Sequence, residues 1–280
     1  MHIQHDEERL VIEGYSVVNG AQSLSTLYNN AKSITSDLRV LVKFISLKDE
    51  ELSDRITWNS NNQNAIKYRD QRSNDATQRR LQAEFAKVPD VALEIKRGEK
   101  VDGKKVLSNE EAGLLLLAYD LEQPWVCHQK YKVFDELYSE LFCRPTITAF
   151  YISFVHRLMS LVEKNIDEVQ NERVRRYALT RYFLLYCLRQ ALAENPIWEN
   201  IRADPTYATD PKRWPSFEAA VDEILVGLIS DLNGEIDDAG EAFDHKDVFK
   251  SPQKSKALAR TIVDVYRKEL KRKKVDPIDL

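Results

Sequence analysis

Val17–Val18–Asn19–Gly20–Ala21–Gln22 joins two patterns of opposite kind. An apolar run from Gly14 to Val18 stops at Asn19–Gly20, and Ala21, Leu24, Leu27 and Ala31 then recur at helical spacing. A strand that turns through glycine into a helix leaves unpaired backbone N–H groups and a positive helix end at the turn. Such an end can hold an anion. The pattern predicts a strand over 11–18, an amphipathic helix over 21–31 and an anion-binding turn between them.

Downstream, Leu38–Ile45 (LRVLVKFI) is apolar apart from Arg39 and Lys43 and too short for an ordinary helix, which predicts a mostly buried strand. Asp49–Glu50–Glu51 suits the start of a second helix, with Leu52 and Ile56 on its inner face. Strand–helix–strand–helix is the order of an α/β unit. Residues 59–64 hold four Asn and one Gln, a poor helix interior and an expected loop. Asp75–Ala–Thr–Gln78 has the form of a capping box, opening a helix with Leu81, Phe85 and Val88 inside and Pro89 at its close. Val91–Lys96 reads as a third strand, with Asp102–Gly103 as a tight hairpin turn back toward Val106.

From Ser108 the texture changes. Ser108–Asn–Glu–Glu111 is a second capping box ahead of Ala112, Leu115, Leu116 and Tyr119. Helices are expected over 148–164, 167–195, 216–232 and 251–271, the last with Ser251 as cap and Pro252 at the first helical position. Linkers are expected at 194–196, 203–215 and 233–250. The predicted fold class is α+β, predominantly α: a mixed α/β region over 1–122 and a helical region over 123–280.

Composition sets the outer bounds. In 280 residues, 43% hydrophobic and 31% charged is the balance of a globular protein, and 8 Gly with 9 Pro favour long helices over many turns. No apolar run of membrane-spanning length occurs, and Met1–Glu8 has no apolar core of a leader peptide. Cys127, Cys143 and Cys187 are scattered, without a CxxC pair, as expected of reduced cytoplasmic thiols. The net charge of −4 hides a basic segment: eleven Lys/Arg face seven Asp/Glu between Gln63 and Lys105. That asymmetry suits a phosphate-bearing partner.

Chemistry narrows on two sets of residues. His2, His5, His128, His156 and His245 form no helical ligand pair, and neither a Walker loop nor GxGxxG is present. Asp90 with Glu94–Ile95–Lys96 invites comparison with the PD-(D/E)xK nucleases, in which an acid and an ExK pair hold a divalent metal and position a water. The plainer reading puts Glu94 and Lys96 on the solvent side of a strand whose other face is Leu93 and Ile95. The second set is amide-rich: Asn19, Gln22, Asn59, Gln63, Asn74 and Gln78 stand at ends of predicted elements. Primary amides donate and accept, and so fix a base edge, a ribose or a phosphate. Arg69, Arg72, Arg79 and Arg80 supply positive charge, and Trp58 and Tyr68 supply stacking faces. Each Asn taken singly also serves as a cap or turn residue.

In order, these segments resemble the C-terminal domain of the abortive infection phage resistance (AIPR) proteins. Val18–Asn19–Gly20–Ala21–Gln22, Val40–Ile45, Asn59–Asn64, Asp70–Asp75 with Gln78, and Glu94–Ile95–Lys96–Arg97–Gly98–Glu99 match five motifs in sequence. The resemblance implies a cytoplasmic phage-defence protein that binds a nucleotide or nucleic acid. Its site would be Asn19, Gly20, Gln22, Asn59, Gln63, Arg69, Arg72, Asn74, Asp75, Gln78, Lys96 and Arg97. AIPR proteins are longer, so this chain is expected to correspond to a C-terminal portion or a reduced form. A more distant likeness is to the DGQHR proteins, which are ParB-like in their strand–helix–strand–helix layout; some bind or hydrolyse nucleoside triphosphates. Here Asn19 replaces the Asp, and Ser23–Leu24 replaces His-Arg, which favours binding over hydrolysis. Three readings stay open. In the first, a nucleotide such as an NTP, or a nucleic acid, is bound. In the second, Asp90, Glu94 and Lys96 hold a divalent metal for nuclease chemistry. In the third, the chain is a non-catalytic module, its helical region contacting a second copy or a defence-system partner.

Overall fold

The computed structural model describes residues 2–6, 9–13, 21–43, 72, 75–95 and 103–280. It divides the chain into two compact units, Met1–Lys67 and Tyr68–Leu280. The change of sequence texture near residue 122 falls inside the second unit.

In the first unit β1 (His2–Asp6) and β2 (Arg9–Glu13) form an antiparallel hairpin in the register Ile3–Ile12 and His5–Leu10. Helix α1 (Ala21–Asn29) follows. Strand β2 covers residues 11–13 of the predicted strand over 11–18, and residues 14–20 lie outside the described residues. The strand expected over Leu38–Ile45 is corrected. Residues 38–43 are irregular, with Leu41 99% and Val42 59% exposed. Arg39 turns its guanidinium onto the carbonyls of Ser36 and Leu38, at 3.1 Å for the latter, occupying an acceptor that a ladder would need. An apolar run forms a strand only with a partner. The helix expected after Asp49 lies outside the described residues.

The second unit opens with α2 (Ala76–Phe85). Asp75, extended at φ −63° and ψ 143°, caps it by accepting from the Thr77 N–H at 2.7 Å. Gln78 does not complete the predicted capping box but turns inward, where it is fully buried. Leu81, Phe85 and Val88 are at most 2% exposed, as their spacing predicts. Strands β3 (Val91–Glu94) and β4 (Lys105–Ser108) pair in register Leu93–Leu107. The pair is parallel, which corrects the expected hairpin. Gly103, at φ +77°, turns the chain so that the Lys105 N–H reaches the Asp90 carbonyl at 3.0 Å. Val91, Ala92 and Leu93 are all buried, the pattern of a strand covered on both faces.

The helical body contains α3 (Asn109–Tyr119), α4 (Tyr138–Phe142), α5 (Ala149–Asn165), α6 (Glu172–Arg176) and α7 (Ala178–Leu192). It continues through α8 (Trp198–Ala203), α9 (Thr206–Thr209), α10 (Trp214–Ala239), α11 (His245–Lys250) and α12 (Pro252–Lys271). Ser108, Thr148 and Ser251 cap α3, α5 and α12 through N–H groups three residues on. The single helix expected over 167–195 is corrected to α6 and α7. Asn171 caps α6 by accepting from Arg173 and Val174, and Tyr177 is extended between the two helices. Helix α10 runs past its expected end to Gly240, whose φ of +53° stops it. The expected linker over 233–250 therefore includes the end of α10 and all of α11.

Helix α3 sits at the centre, against β4, α4, α5, α7 and the tight turns Pro124–Val126 and Lys130–Val133. Its Leu115, Leu116, Leu117 and Tyr119 are at most 1% exposed. Each buried leucine contributes about 1.5–3 kcal/mol. A single apolar core runs from Leu81 to Ile278. No helix among the described residues is long and apolar enough to cross a membrane.

Two outcomes follow from this packing. A Cβ on Gly113 would overlap Val133 and stand 3.1 Å from the Phe142 ring, so Gly113→Ala gains helix propensity yet overpacks the core. It is expected to lower unfolding free energy by about 1–3 kcal/mol in urea melts. His156 on α5 is 5% exposed with no partner for Nδ1. Burial, then Lys105 and Arg157, lower its pKa to about 4. A folded-state pKa below the ordinary 6.5 means that the folded state holds the neutral ring. The associated stability is complete above pH 6.5 and is lost as pH falls toward 4, by about 3 kcal/mol. In melts across that range, His156→Leu is expected to remove this part of the acid sensitivity.

Candidate functional site

The turn ahead of α2 brings together three of the residues singled out by sequence: Arg72, Asp75 and Gln78. Asp75 comes first, because its carboxylate has two tasks. It caps α2, and its Oδ2 lies 3.6 Å from Arg72 Nη1. The end of α2 is thus already neutralised by its own acid, and the available positive charge is that of Arg72. The Arg72 side chain is 43% exposed, and its guanidinium lies 4.4 Å above the ring of Tyr138 on α4. Stacking on an aromatic face is worth about 0.5–1 kcal/mol at a half-open position and fixes the plane of the guanidinium.

Beneath this stack the chemistry is polar and dry. Tyr138 is 2% exposed, and its hydroxyl has no hydrogen-bond partner among the described residues. Burial pushes its phenol above the ordinary value, with the Gln78 amide opposing and the Asp75 carboxylate adding to the shift. Gln78 accepts from Asn109 Nδ2 at 3.3 Å, while its own Nε2 is buried without a partner. Gln78 lies close enough to the Tyr138 phenol to oppose that rise. The Thr77 hydroxyl lies 3.7 Å from the Cys143 sulfur at the edge of the same cluster. Tyr138 and Asn109 lie far from this turn in sequence, and no spacing rule points to them.

Other predicted residues have structural partners. Arg80 pairs with Glu84 at 2.8 Å and donates to the carbonyls of Phe142 and Ile147 at 3.3 and 3.1 Å. Glu84 in turn accepts the Ala149 N–H at 3.0 Å, so the Arg80–Glu84 pair ties α2 to α4 and α5. The Asp90 carboxylate meets Arg157 at 2.7 Å, and Arg157 also stacks over Trp214 at 4.9 Å. Asp90 and Glu94 are four residues apart along an extended segment, about 13 Å, too far to share one metal ion. Among the described residues no group of three or more His, Cys, Asp or Glu is placed to hold a metal. Gln22 is in α1. Its side chain, and Asn19, Gly20, Asn59, Gln63, Arg69, Asn74, Lys96 and Arg97, lie outside the described residues, as do Trp58 and Tyr68.

A family model described as AIPR protein matches residues 2–266. No curated protein and no solved structure matches the chain.

Substitutions at two positions separate the roles of the cluster. Asp75→Ala is expected to cost about 1 kcal/mol through the lost cap, whereas Asp75→Ser retains most of that stability. Tyr138→Phe removes only an orphaned hydroxyl and is expected to leave the melting temperature nearly unchanged, while Tyr138→Ala costs about 3–5 kcal/mol. Thermal melts of the four variants check both.

Proposed function

Because the chain belongs to the AIPR family, we propose that it serves abortive-infection defence against phage by binding a nucleotide or nucleic acid at the Arg72 cluster. Support comes from the geometry of Arg72, a half-exposed guanidinium held flat by Tyr138 and oriented by Asp75. An arginine with a fixed plane and open edges suits bidentate capture of a phosphate. Asn74, Arg69, Lys96 and Arg97 belong to the same proposal through their motifs; Asn19, Gly20, Gln22, Asn59 and Gln63 are proposed as ligand-binding residues of the first unit in their own right. Amides would orient the base or sugar, and the cations would neutralise phosphate. Gln78 acts from below, as a buried support of Tyr138.

The nuclease reading draws less support. The Asp90 carboxylate is already engaged by Arg157.

Titration of nucleotides and short DNA or RNA at low salt is the direct test. Saturable binding is expected for the unaltered protein. Arg72→Ala should weaken it about 10- to 100-fold, the worth of one charge-assisted contact, with little loss of fold stability. Arg72→Lys should fall between, since charge remains and the planar fork is lost. Asn19→Ala is expected to weaken binding, and Asp90→Asn to leave it unchanged. Absence of saturable binding by the unaltered protein overturns the reading.

A further inference from the structure

Helix α12 and the residues just after it hold the densest positive charge in the chain. Between Pro252 and Lys274 stand nine Lys/Arg and two Asp/Glu, in a protein whose net charge is −4. Much of the surrounding acid is spent on other cations. Asp247 holds Lys254, Glu136 holds Lys132 at 2.6 Å, and Glu194 holds Arg267 at 2.7 Å. Asp264 pairs with Arg267 and reaches Arg260 only at 3.9 Å. Lys250 and Lys256 meet no carboxylate among the described residues, and the Arg260 side chain is 83% exposed.

Lys256 and Arg260 stand on one groove. It holds about 90 Å³ between α7 and α12, walled by Tyr186, Gln190, Lys256, Arg260, Asp264 and Arg267, with Asp264 turned mainly to Arg267. Lys256 Nζ lies 5.0 Å from the Trp125 ring, and beside that turn burial lowers the pKa of His128, with Lys250 and Lys132 adding to the effect. Lys256 and Arg260 are one helical turn apart, about 6 Å along the axis.

The shape selects the ligand. The groove is too small to enclose a base with its sugar, and Trp125 and Tyr186, each 7% exposed, offer no open face for stacking. The apolar side of α12 (Leu258, Ala259, Ile262, Val263 and Tyr266) is spent in the core, which leaves none to enter a bilayer. What remains is a row of cations suited to phosphates. We propose that Lys256 and Arg260 on the α7–α12 groove, with Lys250 on α11, form a sequence-independent contact surface for a nucleic-acid backbone. This surface is distinct from the Arg72 cluster, and neither reading requires the other.

Fluorescence anisotropy tests it, with a labelled DNA duplex of about 20 base pairs and a single-stranded RNA of similar length, at about 50–200 mM salt. Combining Lys256→Gln with Arg260→Gln is expected to weaken duplex binding about tenfold at low salt and to flatten the log–log salt dependence by about 1.8. Preference for the duplex or the RNA identifies the natural backbone, and a loss with either supports the surface. Exposed cations elsewhere, removed as Arg173→Gln with Lys212→Gln, should change nothing. Three results overturn the proposal: wild-type binding by the Lys256/Arg260 variant, an equal loss in the control variant, or binding to phosphatidylserine vesicles without binding to nucleic acid. Arg72→Ala is run in parallel against nucleotides. Loss there with an unaltered Lys256/Arg260 variant ends this proposal alone, and the reverse pattern ends only the Arg72 reading.

Discussion

Helix α3 is buried on nearly every side, and most of Tyr68–Leu280 is arranged to cover it. Ala112 and Leu114 through Tyr119 are at most 2% exposed, and Gly113 lets Val133 and Phe142 approach where a methyl group would not fit. A helix without a solvent face must find a partner for every side of its circumference. Here β4, α4, α5, α7 and two tight turns supply them. The ends of α3 are settled by polar chemistry. Ser108 caps the first turn, while Asp120 at the other end accepts the Tyr151 hydroxyl at 2.9 Å and pairs with Arg144. The Arg72 cluster is tied to this scaffold, since Asn109 at the first helical position of α3 donates to Gln78 beneath Tyr138.

The same unit uses buried amides as joints. Asn195 donates to Ala191 and to the Tyr266 hydroxyl, and accepts the Ile278 N–H at 3.0 Å, which fastens the end of α7 to α12 and to the C-terminal segment. Asn233 bridges α10 to the carbonyl of Glu168 and the N–H of Gln170. Each spans groups that would otherwise be buried unpaired, at a cost of about 1–3 kcal/mol apiece. An amide-rich sequence therefore carries two kinds of information. Asn195, Asn233 and Gln78 are internal ties, whereas Arg72 keeps an open face.

Local signals were legible in the sequence where a single element decides them. The caps at Asp75, Ser108 and Ser251 follow from one side chain meeting N–H groups two or three residues on, and the buried face of α2 follows from its period. Readings failed where a distant partner decides. Leu38–Val42 has the composition of a strand, but the run is irregular and Arg39 takes the Leu38 carbonyl. The β3–β4 pairing turned out parallel because strand direction depends on the intervening path, not on the turn dipeptide at Asp102–Gly103. At the candidate site, Arg72 and Asp75 could be singled out from their motif. Tyr138, the ring on which Arg72 rests, could not, because the fold alone brings residues 72 and 138 together.

Hydrogen–deuterium exchange of the protein, free and saturated with a short DNA duplex, tests the central claim most directly. Slower exchange is expected on binding for amides of residues 75–80 and of α12, with α3 unchanged because its amides are already protected in the core. Bound duplex with unchanged exchange at both surfaces would contradict it.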